Sequence, residues 1–372
     1  MTVIYADCAA ACPMLPRALE TLVRLSGSVF GNPSSLHTFG EEAAAVLEDA
    51  RQKCASLIGA EADEILFTSG GTEADNLALR GMDWKWIAVS AIEHPAVLRT
   101  AESLEDNGIP LMILPVGEDG AVDVCLPEEA RGGGLVSVML ANNETGVLQP
   151  VKEMAALAHE RGALIHCDAV QGAGHIAIDV RELDVDMMSV SAHKLGGPKG
   201  TGFLYVRRGI RLNPVITGGG QEHGLRSGTE SVPLIGAMGE ACAESMERME
   251  TDAVRAARIR SRIESELLLL DDVRLNGEGK RLPGISNLSF GGVGGEALTL
   301  MCDLKGVAVS SGSACHAGDE RPSHVLSAMN VPEHYRSSAL RISLGWNTSD
   351  SDADEIVRAV RESVETLRGM SG

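Results

Sequence analysis

The stretch from about residue 66 to 206 constrains the fold most, because short apolar runs with strand character alternate there with helical patterns. The candidate strands are Ile65–Phe67, Ile87–Ser90, Leu111–Leu114, Leu135–Leu140, Leu164–Cys167 and Met187–Val190. A further strand, Phe203–Val206, closes the series. Helical patterns cover Glu73–Arg80, Pro95–Asn107 and Val151–Arg161. This alternation predicts right-handed βαβ units and a mostly parallel sheet. Ligands of such sheets gather beyond the carboxyl ends of the strands, where the polar clusters of this sequence fall.

A chain of 372 residues exceeds one ordinary core. The loop Thr217–Thr229, with five glycines, closes the alternating region. A long helical stretch from Val232 to about Leu270 then leads into a second, α+β unit. The expected division is a large domain over 14–240 and a small one over 1–13 and 241–372.

Composition narrows the function. No apolar run approaches the length of a membrane span, and the N-terminus lacks a basic region ahead of an apolar one. Eight cysteines without short, regular spacings fit reduced thiols in a cytoplasm. Cys8 and Cys12 read as small buried residues near a strand end rather than as metal ligands. A formal charge of -20 disfavours direct contact with nucleic acid.

Four strand-to-helix junctions carry candidate chemistry. Thr68-Ser69-Gly70-Gly71-Thr72-Glu73 offers glycines, helix N-terminal amides and a hydroxyl to an anion, without the lysine of a nucleotide P-loop. A simple Ser/Thr helix cap looks the same. His94 sits at a second junction and Asn142-Asn143-Glu144-Thr145-Gly146 at a third. Asp168 ends an apolar strand, either as a helix cap or as an acid facing a ligand. Lys194, in Ser191-Ala192-His193-Lys194-Leu195-Gly196-Gly197, lies where a chain does not normally put a solvated charge. A desolvated amine is a nucleophile towards carbonyls; the alternative is a lysine paired to a carboxylate beside a turn.

Together with Tyr5-Ala6-Asp7, Gly31 to His37, Arg226-Ser227-Gly228-Thr229, Ser310 to Cys315 and Arg341 to Gly345, these stretches resemble the cysteine desulfurases, fold-type I pyridoxal-phosphate enzymes. The resemblance implies an α/β fold with a mostly parallel seven-stranded sheet in the cofactor-binding domain and a smaller α+β domain. It implies that Lys194 holds pyridoxal 5'-phosphate covalently and later shuttles a proton. Asp168 would pair with the pyridine nitrogen, Gln171 with the phenolic oxygen, and His94 would stack on the ring. Gly71, Thr72, Ser191 and His193 would hold the phosphate, with Thr229 reaching in from a second subunit of a homodimer. Asn143 and Arg341 would bind the substrate carboxylate.

Cys315, in a loop of small residues, would take sulfur from L-cysteine as a persulfide, leaving L-alanine, and pass it to an acceptor protein such as one serving iron-sulfur cluster assembly. Two departures stand out. His316 follows the cysteine, as in selenocysteine lyases, and Asp7-Cys8-Ala9-Ala10-Ala11-Cys12 differs from the usual Asn/Ala-Thr-Thr segment. Selenocysteine lyase or another aminotransferase-like activity is therefore the neighbouring reading. A catalytically silent scaffold is the reading from another class.

Overall fold

A computed structural model describes residues 3–311 and 323–371. The first strand, β1 (Ile4–Tyr5), bypasses the central sheet and pairs in parallel with a late strand described below. The central sheet follows: β2 (Ile65–Thr68), β3 (Ile87–Ser90), β4 (Leu111–Leu114), β5 (Leu135–Ser137), β6 (Leu164–Asp168), β7 (Met187–Ser191) and β8 (Gly202–Val206). Its order is β2-β8-β7-β6-β5-β3-β4, seven strands among the described residues. Strands β3 to β7 run parallel, whereas β8 opposes both its neighbours. Two reversals restore direction, so β2 points the same way as β7. The carboxyl ends of β2, β3, β5, β6 and β7 therefore share one edge.

Side chains alternate across this sheet as the pleat requires. Ile65 and Phe67 of β2 join one buried cluster, together with Ile165, Met188 and Phe203. Leu66, Val89, Met187 and Leu204 join the other, under Leu77 of the helix Gly71–Arg80 and Val97 of the helix Pro95–Glu105. Both faces are covered, which is why the strands read as continuous apolar runs rather than as an alternating pattern. The expected strand over 135–140 has regular pairing only to Ser137, although the Val138 and Leu140 amides still donate to the His166 and Asp168 carbonyls of β6.

The 36-residue helix Val232–Leu267 ties this layer to a second core. Its first half places Ile235, Met238 and Cys242 in the central cluster, and its last turns place Ile259, Ile263 and Leu267 under a small antiparallel sheet. That sheet contains β9 (Val273–Leu275) and β10 (Ile285–Phe290); β11 (Val307–Ala308) is the partner of β1, and β12 (Ser310–Ser311) and β13 (Ala339–Ser343) complete the four-stranded order β12-β13-β10-β9. The final helix, Asp350–Ser371, covers it with Ile356 and Val360. Among the described residues no helix is long and apolar enough to cross a membrane.

Candidate active site

Along the shared strand edge lies a cavity of about 520 Å³. Gly71, Thr72, His94, Asn143, Asp168, Gln171, Ser191, His193, Lys194 and Arg341 all line it, so residues from five junctions and from β13 converge as the sequence implied. Thr229 does not; it is exposed on its own chain and lies outside the lining. Cys315 and His316 fall outside the described residues. The chain reaches that segment from Ser310, which registers with Arg341, and leaves it at Ser323, whose hydroxyl donates to Glu144 Oε2 at 2.6 Å.

Lys194 follows β7 on a short 3-10 turn. Its Nζ donates to the carbonyls of Ala9 at 2.6 Å and Ala10 at 2.8 Å, residues far away in sequence. Gln171 Nε2 donates to the same Ala9 carbonyl at 2.9 Å. The N-terminal turn thus holds two of the expected site side chains. Arg341 reaches in from the small sheet, donating from Nη2 to Asp7 Oδ1 at 2.8 Å and from Nη1 to the Asn143 carbonyl at 2.9 Å. Its Nε, fully buried, has no partner among the described residues. Asn143 therefore positions the guanidinium through its backbone.

At the other end the helix Gly71–Arg80 opens against the strand edge. A Cβ on Gly71 would stand 2.7 Å from Val170 Cγ2, and one on Gly202 would stand 2.8 Å from the Gly70 Cα. Only glycine allows backbone amides to approach so closely, and such amides make a ready anion cradle. Ser191 Oγ and His193 Nδ1 lie 2.9 Å apart. Burial, with the charges of Lys194 and Lys199 beside it, pushes the His193 imidazole down to about 4, so it serves as a neutral hydrogen-bonding group. Glu73 closes this end, receiving Arg226 Nε at 2.8 Å and the Ser69 amide at 2.9 Å. His94 lines the cavity and also caps its helix, with Nδ1 accepting from the Ala96 amide at 3.1 Å. Capping the helix does not remove that histidine from the cavity wall.

The floor is acidic and buried. Asp168 accepts from the Val170 amide at 2.9 Å, and burial pushes its carboxyl up to about 6 against the pull of that amide and of Lys194. Two further buried acids, which the sequence reading did not single out as site residues, adjoin it. Asp75 is pushed well up by burial and by the Asp168 charge, and Glu93 is pushed up to about 8, mainly by burial. Between β6 and its neighbours His166 contacts Ser137 Oγ at 2.8 Å and Ser189 Oγ at 2.9 Å, and burial depresses it to about 3. Asp75 and Glu93 carried a weak sequence signal: Asp75 lies two residues beyond the Thr68–Glu73 stretch and Glu93 directly precedes His94, but neither occupies a strand end.

The chain matches the Aminotransferase class-V family over residues 4–356. It is 41% identical to "Cysteine desulfurase IscS" of Dictyoglomus turgidum, over 99% of this chain and 96% of the relative. Among solved structures, a NifS-like protein superposes with a TM-score of 0.91 at 34% identity, covering 98% of this chain and all of that one. "SspA in complex with cysteine" superposes at 0.80 with 33% identity, over 92% of this chain and 98% of the other. A full-length match at this identity, joined to a lysine and a buried acid meeting in one cavity, shows that the chain belongs to the aminotransferase class-V family and, within it, to the cysteine desulfurases.

Proposed function

We propose that this chain binds pyridoxal phosphate in the strand-edge cavity and converts L-cysteine to L-alanine, with the sulfur received as a persulfide on Cys315. The observation that carries this reading is the meeting of Lys194 and Asp168 in one cavity of about 520 Å³, with the glycine cradle at its end. The residues fit the cofactor. Gly71, Thr72, Ser191 and His193 would hold its phosphate, Asp168 its ring nitrogen, Gln171 its phenolic oxygen, and Lys194 its aldehyde carbon, while His94 would lie against the ring. Pyridoxal phosphate, when bound, supplies an electron sink for bonds at the substrate amino carbon.

The chain's own groups account for the rest. Lys194 Nζ, seated between two carbonyls, is placed to hold and return a proton at the substrate. Arg341, already anchored on one side by Asp7, offers its guanidinium to a substrate carboxylate. The segment that bears Cys315 starts beside Arg341 and ends beside Glu144, so both of its anchors flank the cavity. The Cys315 thiolate would attack the substrate sulfur, and the resulting persulfide would pass its outer sulfur to an acceptor.

The reading extends to a homodimer that shares its sites. Thr229 is exposed, while Arg226 three residues earlier is tied to the cavity end through Glu73. Phe30, Leu36 and Phe39 are also exposed, Leu36 at 98%, an apolar group suited to a subunit interface. The two-domain division at about residue 240 and a cytoplasmic setting belong to the same proposal, the second supported by the free state of the seven described cysteines.

The test is direct. A visible absorbance band in the purified protein, with equimolar alanine and sulfide formed from L-cysteine and a reductant, is the expected result. A band without alanine would overturn the desulfurase reaction and leave another reaction of the same cofactor. Loss of the products in Cys315→Ser, with the band retained, places the sulfur on that thiol.

A further inference from the structure

The end of the cavity that would take the cofactor phosphate is short of positive charge. Glu73 and Arg226 offset each other there across 2.8 Å. His193 is neutral, since burial and then the charges of Lys194 and Lys199 push its imidazole down to about 4. Thr72 and Ser191 offer hydroxyls and the glycines offer amides, none of which carries a full charge. The Lys194 ammonium is seated on the Ala9 and Ala10 carbonyls, away from the cradle. A phosphate monoester brings about −1.5 to −2 charge at neutral pH. The chain that must attract it has a formal charge of -20, which repels anions at long range.

The β7–β8 hairpin sets one further cation at this end. Ser191, the last residue of β7, registers opposite Gly202, the first of β8, and Gly202 also registers opposite Thr68 of β2. The hairpin therefore springs from the cradle itself, closed at its base by the Ala192 amide donating to the Thr201 carbonyl at 3.2 Å. Gly200, at a φ of 83°, turns the chain back towards the sheet in a conformation that favours glycine. Lys199 precedes that turn, and both residues line the cavity. Lys199 is exposed, and among the described residues it makes no ion pair. Its charge already acts on His193, the neutral group of the same cavity end.

We propose that Lys199 is the charge partner of the cofactor phosphate, a cation at the cavity rim that captures the phosphate from solution and offsets its charge beside the glycine cradle. The proposal deepens the reading of this cavity as a pyridoxal-phosphate site and rests on it. The division of labour is physical. Hydroxyls and amides on rigid elements fix where the phosphate sits, whereas a lysine is a point charge on a flexible stem and can follow the anion inward. Because Lys199 is exposed, salt screens it, so its effect falls mainly on capture. Charge focused at a cleft raises association rates by about 10–10³-fold.

The test follows cofactor capture rather than turnover. The full chain is stripped of cofactor, and uptake of pyridoxal phosphate is timed by the return of the visible band over a range of salt concentrations. Lys199→Gln is expected to slow uptake about tenfold at low salt, the lower end of that range, and Lys199→Glu to slow it further. Lys199→Arg, which keeps the charge, should restore most of the rate. The differences should shrink towards about 1 M salt, where the screening length is about 3 Å. Lys152→Gln makes the same change in net charge on an exposed lysine outside the cavity lining and is expected to take up cofactor at the parent rate. Pyridoxal, which lacks the phosphate, should be bound equally by the parent and the Lys199 variants. Parent-like uptake in both Lys199→Gln and Lys199→Glu, equal slowing in Lys152→Gln, or equal slowing with pyridoxal would each overturn the proposal. Failure of the parent chain itself to take up pyridoxal phosphate would instead overturn the reading of the cavity on which the proposal rests.

Discussion

Glu73 lines the cavity and is partly buried, whereas Glu93 is fully buried behind it, and the two also differ in a facing cation. At the phosphate end, burial would raise the Glu73 carboxyl, but the Arg226 guanidinium and the Ser69 amide outweigh it and hold the group below its usual range. In the floor, Glu93 has hydrogen bonds from Ser90 and the Met139 amide yet, among the described residues, no cation paired with it, and burial carries it up to about 8. One of its oxygens has no partner among the described residues. Desolvation alone neutralises an acid; desolvation with a bidentate partner preserves its charge. The floor therefore keeps its charge on Asp168, where a ring nitrogen would need it, and suppresses charge on Asp75 and Glu93 behind it.

The largest test of this contrast is Asp168→Asn beside Glu93→Gln. Removing the Asp168 charge is expected to lower turnover by about 10²–10⁴-fold, the range typical of a lost proton-handling group. Glu93→Gln, which replaces a neutral acid with a neutral amide, is expected to stay within about tenfold on the same scale. Equal losses in single-turnover assays would erase the distinction.

A second variant turns a partnered acid into an unpartnered one. Glu222 is buried and takes Arg51 in a two-pronged pair, with Nη2 to Oε1 at 2.8 Å and Nη1 to Oε2 at 2.9 Å, and it also accepts the Phe67 amide of β2. Arg51→Ala is expected to cost about 3–5 kcal/mol, since it strands a buried charge. Denaturant unfolding reads this, and a loss below about 1 kcal/mol would mean that water reaches the site.

The third prediction concerns pH. Glu93 is protonated in the folded chain until about 8, whereas an unfolded glutamate ionises near 4.5. Between those values the folded state binds the extra proton, so stability contributed by this group is full below about 4.5 and falls as pH rises towards about 8. Glu93→Gln should flatten that decline relative to the parent chain, as seen in melting temperatures taken across the window. Parallel curves for the two proteins would show that Glu93 does not titrate there.

The smallest effect is expected at the rim. The Glu73–Arg226 pair is partly exposed, so Glu73→Gln should cost only about 0.2–1 kcal/mol of stability. Its clearer signature would be a few-fold faster loss of pyridoxal phosphate on dialysis, through loosening of the Ser69 amide that Glu73 receives. Unchanged retention would mean that the cradle holds its shape without the pair.

Much of this molecule is written locally. The strands β3 and β4 coincide with their apolar runs, and Lys194, Asp168, His94 and Thr72 stand at junctions whose Gly, Pro and polar content marks them in the sequence. Strand β8 was legible as a strand but its direction was not, because an apolar run carries no sign of the neighbour it will oppose. The substrate end was less legible still. Asn143 is expected beside Arg341 at the substrate carboxylate and does line the cavity, but its backbone carbonyl, which accepts from Arg341, carried no sequence signal.

The sequence by itself determined the alternation that builds the sheet, the edge on which chemistry gathers, and the residue types of a pyridoxal-phosphate site, since each depends on spacing and on neighbours a few residues away. Tertiary structure decided which groups seat them. Ala9 and Ala10 hold Lys194 through backbone carbonyls, which every residue possesses and no sequence pattern advertises. It also decided the charges of Glu73, Glu93 and Asp75, because an acid's ionisation follows the water it loses and the cation it meets, and both are supplied by segments distant in the chain.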